Sequence, residues 1–368
     1  MGRNNLEESR TDSYGSPGMA DRAAARLELE MHRNSRPIAR GEGEFLELYP
    51  AFFPGAGVVS ISKAGVVVGW PTVGKPGRLL GTLPQRPDAI AVCNASALVA
   101  VADPEGVRIL KLPELAQRAQ LQALKTRVVS AEFSPGCDSL LLGGGDGMVY
   151  RWKFASWTPS LGYEAREKLL ERYVAHASAV SALAFHPYGR IFFSGDWDGA
   201  LNAWLRYDSD AFAGAYDQNT SPGTFFTGGV QRMRVSAGQG SDIVRIRITE
   251  DGQYLLLVTQ SGMMELWKVR GFRRLCQMQA HKGLIYDARF TPDRPGIVTL
   301  GRDEQVRQWN IAQQPDPAGG PALFSLVLAK DRSQAGLRQL APLADGRLVA
   351  GTDGGEVVEV QLQDVQSR

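Results

Sequence analysis

A polar quartet occurs twice in this chain at identical spacing. His176, Ser194, Asp198 and Trp204 in one stretch correspond to His281, Thr299, Asp303 and Trp309 in another. Each copy sits among short alternating apolar runs with the layout strand, turn, strand, tight turn, strand. Repetition on this scale implies an array of similar units, none of which can bury its own core alone.

The period extends beyond the two clear copies. Third-strand ends read at Trp70, Leu110, Trp152, Trp204, Trp267, Trp309 and Val360, about 40 to 60 residues apart, the spacing of four-stranded units with loops. The 41 glycines, spread through the chain, suit the many turns that such an all-β array needs. The wider gaps hold insertions: a helix candidate at 163–173, a polar-aromatic loop at 207–228 and a Pro/Gly connection at 312–321. Residues 1–42 are polar and rich in Arg and Glu, and cannot build a core. They read as a largely disordered arm with one short helix near 17–33, which Ser16 and Pro17 would start. The array then occupies 43–362, followed by a tail at 363–368.

These residues resemble WD40 repeats. The units around Trp204 and Trp309 carry the whole family quartet, and Ala175-His176 and Ala280-His281 stand where the family has Gly-His. The unit around Trp152 keeps Asp146, Gly147 and the Trp. Those around Trp70 and Trp267 keep less, and the units at 88–112 and 336–362 match in pattern alone. The resemblance implies an all-β, seven-bladed WD40-type β-propeller. With only eight residues after Val360, the alternating strand at 44–49 is expected to supply the outer strand of the last blade and close the ring. The resemblance also makes the quartet structural: the His meets the turn Asp, and the hydroxyl and indole extend the network through the blade.

Catalysis finds no support. His176, Ser194 and Asp198, and likewise His281, Thr299 and Asp303, have the composition of a hydrolase triad. However, the whole pattern recurs with a Trp attached and no nucleophile elbow is present. Asp196 and Asp198 flank Trp197 in a tight turn, where Asp usually caps its own backbone. The Gly143–Gly147 run lacks the Lys-Ser/Thr of a phosphate loop and opens a strand. With four His and no Cys/His cluster, no metal site or cofactor is expected. Cys93, Cys137 and Cys276 read as buried small hydrophobes.

What remains is surface. In the family, the residue before the turn Asp and the one before the first strand's leading aliphatic face the same end of the array. Those positions include Lys63, Trp197 and Arg302 in the first set, and Arg127 and Leu284 in the second. An exposed Trp with Arg nearby has the composition of a binding hot spot for a protein or peptide. A net charge of +2 makes no case for nucleic acid. "GFRRLCQ", with Arg273 and Arg274, resembles the Phe-Arg-Arg-Gly motif of phosphoinositide-binding propellers, but Leu275 replaces the Gly. No secretory segment or bilayer-length apolar run is evident. The reading is a cytoplasmic, non-enzymatic scaffold that presents its faces and loops to partners in a multiprotein assembly, with phosphoinositide binding at a membrane surface as the alternative.

Overall fold

A computed structural model describes residues 37–40, 45–53, 56–70, 77–122, 124–156, 158, 160–161, 169–189, 191–206, 225–227, 230–236, 241–291, 296–303, 305–315, 321–330, 336–343, 347–352 and 356–360. The helix expected at 17–33, most of the loop at 207–228 and the tail lie outside these residues.

The strands form seven antiparallel sheets. In chain order, sheet one spans 45–82, two 89–122, three 128–174, four 180–236, five 243–279, six 285–330 and seven 337–360. Every residue read as a third-strand end lies on the third strand of its sheet, from Trp70 on Val66–Trp70 to Val360 on Glu356–Val360. Sheet four has a fifth strand, Phe225–Thr227, beside Val230–Ser236. Part of the helix candidate at 163–173 is instead strand. Leu170–Val174 pairs with Met148–Trp152, with Leu170 and Tyr173 buried and Arg172 and Val174 exposed, as at a partly covered sheet edge.

The closed seven-bladed propeller expected from the sequence does not stand. The hydrogen-bonded ladders give seven separate, open sheets, and none is curled or closed into a ring. The proposed closing strand is also misplaced. Phe45–Phe53 is the first strand of sheet one, paired with Ala56–Ser62. The outer position of sheet seven is filled by Pro37–Arg40, antiparallel to Glu356–Val360. Alternation at 44–49 specifies a strand, but alternation does not choose a partner. Only two residues separate it in sequence from Ala56–Ser62, which favours the local pairing.

Neighbouring sheets are joined by side-chain packing. Second strands are buried at every position in Leu140–Gly144, Ile191–Asp196, Gly296–Gly301 and Leu348–Thr352, because both faces are covered. Cys93 and Ile109 of sheet two pack with Phe133, Leu140 and Trp152 of sheet three. Leu141 and Tyr173 of sheet three meet Phe192 and Trp204 of sheet four. Phe193 of sheet four packs with Ile246 and Leu257 of sheet five. Val58 and Trp70 of sheet one pack with Ala341, Leu343 and Val349 of sheet seven. Burying such side chains contributes about 1.5–3 kcal/mol each.

Two polar or covalent ties reinforce this packing. His186 Nε2–H donates to the Gly252 carbonyl at 3.1 Å, while its Nδ1 accepts from the Tyr188 N–H, so sheets four and five are bridged by a neutral imidazole. Burial holds that imidazole below its ordinary pKa. Cys93 and Cys137, expected as separate hydrophobes, are joined as a disulfide between sheets two and three, with Cα atoms 6.0 Å apart. Cys276 is a free, half-buried thiol, and burial pushes its pKa up to about 11.

Candidate interaction surface and the buried polar networks

In sheet six the quartet forms one directional chain of hydrogen bonds. The Trp309 indole N–H donates to Thr299 Oγ1 at 2.8 Å. The Thr299 hydroxyl lies 2.7 Å from His281 Nε2, and His281 Nδ1 lies 2.8 Å from Asp303 Oδ1. Since Asp303 can only accept, Nδ1 carries the proton and Nε2 accepts from the hydroxyl. Burial pulls His281 below its ordinary pKa, which favours this neutral form. Burial also opposes ionisation of Asp303, but the bond from His281 and the nearby Lys282 N–H and Arg307 outweigh it and hold the carboxyl below its usual range.

Sheet four builds the same chain with a different carboxylate. Trp204 Nε1 donates to Ser194 Oγ at 2.8 Å, and Ser194 Oγ lies 2.7 Å from His176 Nε2. His176 Nδ1 then meets Asp196 at 3.0 Å, not the expected Asp198. The position equivalent to Asp196 in sheet six is Gly301. There, an added Cβ would fall 2.2 Å from His281 Nδ1 and 2.7 Å from Asp303 Oδ1. Sheet six therefore leaves room for a carboxylate two residues later, whereas in sheet four Asp196 already fills it. Asp196 also caps the turn, accepting from the Asp198 and Ala200 N–H groups. Burial works against its charge, but His176 and these N–H groups keep its pKa low.

Both hydroxyls are fully buried and already accept an indole N–H. No carbonyl substrate can reach them, so the triad-like composition serves the fold. Residues two before each Trp complete the networks: Asn202 donates to the Ala175 carbonyl, and Arg307 to the Ala280 carbonyl. Sheet one keeps the same indole-to-hydroxyl bond, and sheet five uses a carboxylate in its place. Trp70 donates to Ser60 at 2.7 Å. In sheet five Trp267 donates to the buried Glu265 at 2.9 Å, and Arg274 reaches the same carboxylate. Sequence reading missed Glu265, although a lone acid in the apolar run "MMELWK" was a usable signal.

The expected surface residues occupy equivalent places. In four sheets the residue before the turn donates its backbone N–H to the residue preceding the first strand: Gly145 to Arg127, Trp197 to Ala179, Gln260 to Asp242 and Arg302 to Leu284. Ser130 Oγ donates to the Val180 carbonyl and Ser181 Oγ to that of Ile243, which sets the starts of successive first strands side by side. Trp197 is 49% exposed. Arg302 is exposed, and Lys63 and Leu284 are half-buried. Arg127 is exposed and clamps Asp88, with Nη2 at 2.6 Å and Nε at 2.9 Å. Arg274, although exposed, is engaged by Glu265 and by the face of Trp267 at 5.8 Å. Among the described residues no group of three or more His, Cys, Asp or Glu could hold a metal ion, and no helix is long and apolar enough to cross a membrane.

Comparison with known proteins agrees with this geometry. The family described as "WD domain, G-beta repeat" matches residues 167–204 and 272–310, the two stretches that carry the complete networks. The chain is 23% identical over 240 residues to a Gallus gallus subunit of chromatin assembly factor 1, covering 61% of this chain and 42% of that protein. It is 24% identical over 196 residues to cell division cycle 20.6, cofactor of APC complex, of Arabidopsis thaliana, covering 51% of this chain and 39% of that protein. It is 24% identical over 243 residues to the p21-activated protein kinase-interacting protein 1-like protein of Gallus gallus, covering 61% and 62% respectively. In each case the match spans less than two thirds of the relative. The chain thus carries two stretches that match the WD40 repeat.

Proposed function

We propose that this chain acts as a subunit of a multiprotein assembly, docking protein or peptide partners on the turn-end surface that carries Trp197 and Arg302. The observation behind this reading is the exposed indole of Trp197. A large aromatic side chain half open to water is held on a turn whose backbone is fixed by Ala179 and Asp196. A rigid aromatic anchor loses little conformational entropy on binding, and Trp and Arg dominate the energetics of protein interfaces. Lys63, Arg127 and Leu284 would contribute around it. The relatives' names, a chromatin assembly factor subunit and a cofactor of the APC complex among them, describe members of assemblies.

The test is affinity capture with the full chain and with Trp197→Ala and Arg302→Ala, each checked for an unchanged melting curve. Binding of the principal partner should weaken by about 2 kcal/mol or more for the Trp variant, as for an interface hot spot. Retention of every partner by both folded variants would refute this surface.

A further inference from the structure

A cavity of about 420 Å³ lies among the first strands of sheets two to six, with Pro342 of sheet seven at its wall. Most of its lining residues are apolar or small, so a few ionised groups set its charge. Arg245, Arg247 and Arg289 face it, together with Glu132 and Asp88. Asp88 is already clamped by Arg127.

The carboxylate that gathers the arginines does not line the cavity. Asp287 is fully buried behind them. Its oxygens accept from the Ala288 N–H at 2.9 Å, the Leu340 N–H at 3.1 Å and Arg289 Nε at 3.3 Å. Arg247 Nη2 approaches it at 3.5 Å and Arg245 Nε at 3.8 Å. Asp287 thus draws three guanidiniums together from the rear. The Arg247 Nε–H is buried and has no hydrogen-bond acceptor. Burial and the adjacent Arg289 both pull Arg247 below its ordinary pKa, as expected where positive charge is crowded. Among the lining groups three guanidiniums stand against two carboxylates, Asp88 and Glu132, an excess of one positive charge in front of the buried Asp287.

We propose that this cavity binds a small phosphate-bearing molecule, with the phosphate oxygens seated on Arg245, Arg247 and Arg289. Planar guanidinium forks pair best with oxyanions, and a phosphate offers several acceptor oxygens and more than one negative charge to guanidiniums converging from two sheets. The volume falls within the roughly 300–1,000 Å³ range of small-molecule sites and exceeds what a bare phosphate fills.

Isothermal titration calorimetry on the full chain, at ionic strength fixed with chloride, separates the sources. The probes are glycerol 3-phosphate, inorganic phosphate and a phosphoserine peptide. Glycerol 3-phosphate should bind saturably. Arg247→Gln should weaken it at least about tenfold, the loss of one or two charge-assisted hydrogen bonds. Arg118→Gln, on the exposed outer strand of sheet two, should not. If Arg247→Gln does not fold, Arg245→Lys, which keeps the charge but loses the planar fork, should weaken binding in its place. Equal affinity for inorganic phosphate would keep the site and assign it to the free anion. The proposal is overturned if neither small phosphate binds saturably, if the folded Arg247→Gln or Arg245→Lys chain binds as the parent does, or if only the phosphopeptide binds.

Discussion

At the scale of single residues, Thr299 is where the indole and imidazole networks of sheet six meet. Its hydroxyl accepts from Trp309 and donates to His281. Thr299→Val keeps the shape and removes both bonds, leaving two buried polar groups unsatisfied. It should cost about 2–4 kcal/mol in urea unfolding, well above the small penalty of a shape-conserving change in an apolar site. The same network predicts a pH dependence. Folded His281 resists the proton that the unfolded chain accepts near 6.5, so stability should fall as pH drops through and below that value. Asp303 and Asp196 act lower. Their depressed folded values supply stability above the ordinary carboxylate value of 3.8, which is lost as pH falls through the folded values. Denaturant melts of the parent and of His281→Gln between pH 7 and 5 check the upper limb, which should flatten in the variant. At this scale the sequence displayed both quartets but named the wrong acid in one. Identical spacing pointed to Asp198, and only the space left at Gly301 and filled at Asp196 explains why the two sheets differ.

At the scale of elements, the decisive contact is between Pro37–Arg40 and Glu356–Val360. Deleting residues 1–41 should expose the edge of Glu356–Val360, lower the melting temperature by a few degrees and raise aggregation, as bare strand edges do. Deleting through residue 53 also removes the first strand of sheet one and should abolish cooperative folding. If both truncations melted as the full chain does, the pairing would be unimportant. The strands themselves were legible, because alternation and turn residues are local signals. The identity of the strand completing sheet seven was not, since four residues in a polar segment carry almost no pattern. Leu170–Val174 misled for a related reason: "YEAREKLLERY" has helical propensity, and pairing along Met148–Trp152 overrides it.

At the scale of the whole molecule, packing and one covalent bond tie sheets that share no ladder. The Cys93–Cys137 link closes a sequence separation of 44 residues, and loop-closure entropy gives it at most about 4 kcal/mol of stabilisation. Thiol titration of the unfolded, unreduced chain should find one reactive thiol, Cys276, and reduction should raise the count to three and lower the melting temperature. Three thiols before reduction would dismiss the link. The sequence alone determined the number and order of the repeating units and the third-strand positions, because each is written in local periodicity and residue type. Tertiary structure alone decided which acid meets His176, which strand borders sheet seven, that two distant cysteines meet, and that Arg245, Arg247 and Arg289 gather around Asp287. Those outcomes depend on distances between segments far apart in the chain, which neither spacing nor composition encodes.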